Sequence, residues 1–316
     1  MTLKIGHMAF LFFLLIGGVP CQSAPLSLHE GMFHVYYDAV DSNYARQAVT
    51  VLRSAVEELE FDLQYKLCEE VNIYISPSRK DFLSIVSDVL PPWTGAFAVP
   101  SRQVMYLKSP RWDKNNSFEQ VLVHELTHLV MHDFVSQVHI PRWLDEGLAI
   151  YYAREKRWKT DTALSKAAAT RSLVPLDQIE DILKYHRAKA DLAYQQSYSA
   201  VSYLLDTYDT EAVREILEGL KDGLPLNDCF IQATGSSYAV FEVEWANVIT
   251  KRHKWLWLSE LEEYLWIIIL GLFVLAFFYR FLRNRQTIRR WEEEGKRAEQ
   301  ESTLIDTEQW GDEEES

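Results

Sequence analysis

Three side chains within Val121–Leu129 could do chemistry together: His124, Glu125 and His128, an H-E-x-x-H pattern in a run without glycine or proline. Residues four apart stack on one face of a helix, so both imidazoles can reach a single metal ion. Glu125 follows the first histidine, where its carboxylate can polarise a water on that metal and carry away its proton. The flanking residues argue against a chance match. Leu122, Val123, Leu126, Leu129 and Val130 give the helix a core-like body, and polar groups on such a body are costly unless something uses them. The stretch reads as a zinc site.

A tetrahedral catalytic zinc takes a third protein ligand and leaves its fourth position for water. Downstream lies Pro141-Arg-Trp-Leu-Asp-Glu-Gly-Leu-Ala149, in which Glu146 stands 18 residues after His128. That spacing lets the first helix end and a second one return. Pro141 suits a helix start, and Ile140, Trp143, Leu144, Leu148, Ile150 and Tyr151 form its packing face. HELTH followed by WLDEGLA resembles the gluzincin metallopeptidases, the clan of thermolysin and the zinc aminopeptidases, and within it the bacterial peptidase MA-like domains. The resemblance implies Glu146 as third zinc ligand. His132 competes for that role, but it lies one helical turn beyond His128. A straight helix does not wrap three successive histidines around one ion, so His132 is expected to be solvated or hydrogen-bonded. The resemblance also implies a donor facing the oxyanion, for which Tyr198 is the candidate with Tyr194 behind it. A tyrosine packed between helices with a locally bonded hydroxyl is the plain alternative. Asp145 could accept from a ligand histidine, though adjacency to Glu146 alone does not assign it.

The elements that must position these residues read as an α+β fold. A small mixed α/β N-terminal half comes first, then the zinc-binding HExxH helix, an all-helical C-terminal half and one transmembrane helix. Phe33–Tyr37 and Val71–Ile75 have strand composition. Between them a helix capped by Asp41 or Ser42 carries Ala45, Ala48, Val49, Leu52, Ala55, Val56 and Leu59 on one face. A helix over Ser78–Val89 stops at Pro91-Pro92, and Gly95–Val99 and Val104–Leu107 are two short strands. By resemblance, one of these two strands would line the substrate cleft and hold a peptide by β-augmentation; a structural hairpin is the alternative. After Glu146 come six helical stretches: Asp161–Arg171, Leu176–Tyr185, Asp191–Tyr208, Glu211–Gly219, Leu226–Ala233 and Ser236–Thr250. Within them, Tyr194–Tyr203 and Phe241–Trp245 resemble the S-Y-x-x-x-x-Y-L and E-x-x-W segments of peptidase MA-like domains. The G-x-M-E-N segment by which zinc aminopeptidases hold a free amino terminus is missing, which leaves endopeptidase action as the expectation.

Composition sets the outer bounds. A hydrophobic content of 48% supports a packed core, and the net charge of −14 offers no basic field to recruit nucleic acid. Residues 1–23 read as a signal peptide: Lys4 and His7, an apolar Met8–Ile16, then small residues Cys21 and Ser23 before Ala24. An uncleaved anchor is the alternative. With cleavage, Cys68 and Cys229 are the thiols of an exported domain, where they either pair or lie separately buried. Tyr264–Tyr279 is 16 residues without a charge, followed by Arg280, Arg283, Arg285, Arg289 and Arg290. Positive residues favour the cytoplasmic side. The domain plan is thus 1–23 signal peptide, 24–258 extracytoplasmic domain, 261–282 transmembrane helix and 283–316 cytoplasmic tail. From Trp291 to Ser316 that tail holds 11 acidic and 2 basic residues, a solvated and disordered composition. The expected activity is zinc-dependent hydrolysis of a peptide or protein substrate at the cell membrane. The rival readings are a non-catalytic binding or sensor module that keeps the fold, and hydrolysis of a cell-wall peptide.

Overall fold

The computed structural model describes residues 25–86, 95–114, 117–155, 162–253 and 256–311. The expected signal peptide and the Pro91-Pro92 helix stop lie outside the described residues. Two units emerge from the contacts: residues 1–164 with 172–248, and residues 165–171 with 249–316.

The first unit holds a five-stranded sheet ordered β1 (Leu26–Glu30), β2 (Phe33–Tyr37), β3 (Val71–Ser76), β5 (Val104–Lys108), β4 (Ala96–Val99). β2, β3 and β5 run parallel, while β1 and β4 are antiparallel edges. Period-two alternation splits the sheet into two faces. Val35, Ile73, Met105 and Leu107 are buried on one. On the other, Tyr36, Tyr74, Tyr106 and Phe97 occupy directly paired positions and stack in a continuous row, with centroids 4.6, 5.2 and 4.9 Å apart.

Helix α1 (Ser42–Leu63) buries the expected stripe of Ala45, Ala48, Val49, Leu52, Ala55, Val56 and Leu59, extended by Leu63. Its start differs from expectation. Asp41 makes no side-chain cap; its buried carboxylate takes hydrogen bonds from Ser109 Oγ (2.7 Å) and Arg111 Nε (2.8 Å), tying the chain after β5 to the start of α1. Helix α2 (Arg79–Ile85) starts at Ser78, whose Oγ accepts from the Asp81 amide.

Helices α3 (Phe118–Phe134) and α4 (Arg142–Tyr152) follow, then α5 (Thr162–Thr170). Leu176–Lys184 is 3-10 rather than α-helical. The two helices expected over Asp191–Gly219 run together as α6 (Arg187–Lys221), broken at Asp209, where φ is 62°. Helices α7 (Leu226–Thr234) and α8 (Tyr238–His253) complete the helical part. Polar side chains pin it together. Gln196 both accepts from the Val174 amide (2.9 Å) and donates to its carbonyl (2.6 Å), and Glu242 accepts from the Leu176 amide at the 3-10 start (2.8 Å). Trp245 is buried and donates to Ser199 on α6. Cys68 is exposed and Cys229 buried, both as free thiols, so the pairing that an oxidising compartment would permit is not formed.

The second unit is dominated by α9 (Leu256–Gly311), one uninterrupted helix that takes in the acidic stretch expected to be disordered as far as Gly311. Its stretch from Tyr264 is long and apolar enough to cross a membrane, and its side chains from Tyr264 to Arg285 are all exposed.

Candidate metal centre

Helix α3 begins after Ser117 and buries Leu122, Leu126, Leu129, Val130 and Met131 completely. That packing fixes the helix's rotation and turns His124 and His128 toward one side. α4 supplies the carboxylate from across the turn. Trp143 and Leu144 anchor it in the core, Trp143 among Phe230, Tyr238 and Phe241. Gly147 sets its depth. A Cβ there would lie 2.5 Å from the Ser197 carbonyl oxygen on α6 and 2.5 Å from Val201 Cγ2, so only glycine permits this approach. Glu180 accepts from the Arg142 amide (2.8 Å), satisfying one open donor at the α4 start.

Three ligand-type atoms then converge. His124 Nε2 and His128 Nε2 are 3.3 Å apart, and Glu146 Oε2 is 3.6 Å from the first and 3.9 Å from the second. All three side chains are almost wholly buried. The donors behind them decide which nitrogens face inward. His128 Nδ1 lies 2.8 Å from Asp145 Oδ1, and His124 Nδ1 lies 2.7 Å from Glu155 Oε1, in ion-pair contact though off the axis of a well-aligned hydrogen bond. A proton on each Nδ1 leaves both Nε2 lone pairs, with a carboxylate oxygen, pointing at one spot. Three electron-rich atoms so placed repel unless a cation sits between them. Tetrahedral zinc with bonds of about 2.0–2.1 Å holds its ligand atoms roughly 3.3–3.5 Å apart; the donor set fits that ion, the two histidine nitrogens have that spacing, and the Glu146 oxygen stands slightly wider.

The electrostatics carry the same message. Burial works against a charged His124, but contacts with Glu146 and Glu155 outweigh it and raise its pKa to about 10. Burial likewise opposes a charged His128, and Asp145 overcomes it, so that pKa also rises. Against the effect of burial, His124 and His128 hold Glu146, and His128 with His132 hold Asp145, below the usual carboxylate range. Positive charge is what this pocket stabilises. Glu125 behaves differently: burial raises its pKa, and the two histidines only moderate the rise.

The site opens into a cleft of about 390 Å³ whose wall includes Ala96, Phe97 and Ala98 of β4, with Glu125, His132 and Arg142. His132 turns to Asp145, Nε2 lying 3.3 Å from Oδ2, rather than to the converging atoms. On α6, Tyr194 lines the cleft; Tyr198, 38% exposed, is not among the lining residues. Two contributors escaped the reading of the sequence. Arg142 places Nη1 3.5 Å from Glu146 Oε1, an i, i+4 pair that helical spacing alone could have flagged. Glu155 carries no such signal, because a backbone turn brings it to His124.

No curated protein matches this chain. A family model described as the peptidase MA superfamily matches residues 51–251, which takes in α3, α4 and all of the site above. The chain therefore belongs to the peptidase MA superfamily.

Proposed function

We propose that this protein is a membrane-anchored zinc metallopeptidase whose catalytic unit works outside the cytoplasm. The observation that carries the reading is the convergence of His124, His128 and Glu146 beside Glu125, in a cleft walled by an edge strand. His124, His128 and Glu146 would hold zinc. When bound, zinc supplies Lewis acidity toward a peptide carbonyl and makes a water molecule more acidic. Glu125 is the general base: it receives the proton of the attacking water and delivers it to the leaving amine. Its burial favours the protonated carboxyl, which suits a group that must hold a proton between two transfers. Asp145 orients His128 through Nδ1. β4 is a sheet edge, so its outer backbone groups can hold an extended substrate as an added strand. The oxyanion donor is assigned to a tyrosine of α6, and the lining of the cleft supports Tyr194 over Tyr198. Internal cleavage is the mode we assign, because the chain has no G-x-M-E-N segment to hold a free amino terminus.

In this reading residues 1–23 are a cleaved signal, 24–258 the exported catalytic part, 261–282 the span and 283–316 a cytoplasmic acidic tail. The exposed apolar length of α9 and the arginines after it support that topology. Incubation of the purified full-length protein with a mixed peptide library, with and without chelator, tests the activity. Chelator-sensitive internal cleavage is expected; cleavage indifferent to chelator, or none, rejects it. For topology, protease added to intact spheroplasts should digest the catalytic part and spare a C-terminal tag. Loss of the tag with the catalytic part protected reverses the assignment.

A further inference from the structure

We propose that Glu155 is a positioning residue of the metal centre, brought back from beyond the end of α4 to fix the ring of His124 and the nitrogen it turns inward. The inference rests on the metal-binding reading above.

The backbone is built for this return. α4 ends at Tyr152, and Arg154 adopts a left-handed φ of 48°, a conformation that residues with a Cβ rarely take. The turn closes with the Arg154 amide donating to Tyr151 O (3.0 Å) and the Glu155 amide to Ile150 O (3.2 Å). It is clamped from two other helices: Gln120 Nε2 on α3 donates to the Arg154 carbonyl (2.7 Å), and the Arg154 guanidinium pairs with Glu58 on α1 (2.7 Å). The outcome is a glutamate side chain only 5% exposed, with Oε1 2.7 Å from His124 Nδ1. A lone pair on Nδ1 would be repelled by a carboxylate oxygen at that distance, so the contact favours the hydrogen on Nδ1 although it lies off the axis of a well-aligned hydrogen bond. Nε2 is then the nitrogen turned toward His128 Nε2 and Glu146 Oε2, where a metal would take it. Asp145 does the same for His128 from the residue before Glu146. Each ligand histidine thus has a carboxylate of its own. Groups that orient a metal-binding histidine in this way usually contribute roughly 10- to 100-fold to metal affinity.

The test is zinc affinity and zinc release, measured on the full-length protein in detergent by competition with a chromophoric chelator. Glu155→Ala should bind zinc roughly 10- to 100-fold more weakly and release it faster. Glu155→Gln keeps the shape and an acceptor oxygen without the charge, so it should fall between Glu155→Ala and wild type. It also decides the matter if the alanine variant does not fold. His124→Ala is the control. If it loses zinc while both Glu155 variants match wild type in affinity and release rate, Glu155 has no positioning role and the metal reading stands. If wild type and His124→Ala take up zinc equally, the metal reading fails and this inference falls with it.

Discussion

Helix α3 and the first half of α9 both read as apolar helices, and they meet opposite surroundings. In α3 the leucines at 122, 126 and 129 are wholly buried, and the polar residues 124, 125 and 128 look into a cleft. In α9 the apolar residues run all round the helix and stay exposed, Leu272 at 62% and Phe273 at 70%. An apolar stripe seats a helix in a protein and leaves a face for chemistry. An apolar girdle has no protein partner among the described residues of its stretch, and calls for surroundings that are themselves apolar.

The sharpest test of that contrast is at the cluster that the working face of α3 forms with Glu146 of α4. Glu146→Ala removes a proposed ligand, so zinc content and peptidase activity should fall together. Glu125→Gln should keep about one zinc per chain while turnover drops ~100-fold or more. Metal analysis beside the peptide assay separates the two, and full zinc in Glu146→Ala would sink the ligand assignment. Next in size comes the packing face. Leu126→Ala should cost about 2–5 kcal/mol in denaturant unfolding, the usual range for a fully buried leucine. Leu272→Ala should change the same transition by less than about 0.5 kcal/mol. Equal losses would mean that the girdle of α9 is packed against protein after all. A smaller effect belongs to Gly147→Ala, where the added methyl meets the Ser197 carbonyl and should cost about 1–3 kcal/mol. Unchanged stability there would show that α4 and α6 can part without penalty. Smallest of all, His132→Ala should leave zinc content at the wild-type level, since its Nε2 turns to Asp145; loss of zinc would move it into the ligand set.

The site was legible in the sequence wherever its geometry is local. Two histidines four apart need only a helix to meet, and the helix is declared by the leucines around them. Glu146 needed the resemblance, because a turn of unspecified path separates it from His128. Glu155 was not legible: its approach to His124 depends on a left-handed arginine that no turn signal marks. Among the strands, Phe33–Tyr37 matches its expected limits, and Val71–Ser76 and Val104–Lys108 each run one residue past theirs, since β-branched and aromatic residues alternate there. β1 was missed, because Leu26–Glu30 is an exposed edge with little apolar content to announce it. Asp41 was one of two cap candidates on residue type, Ser42 the other, and its buried carboxylate instead takes hydrogen bonds from Ser109 and Arg111, 68 and 70 residues away.

The stacked row of Tyr36, Tyr74, Tyr106 and Phe97 crosses four strands and ends on β4, whose residues wall the cleft. Rings in such close contact couple their electronic transitions, and the fixed right-handed twist of a sheet gives the coupled array a handedness. The protein thus carries a chromophore of its own making. The coupled rings contribute to the near-ultraviolet circular dichroism of the protein, so a peptide settling along β4 beside the cleft is expected to change that signal without any label.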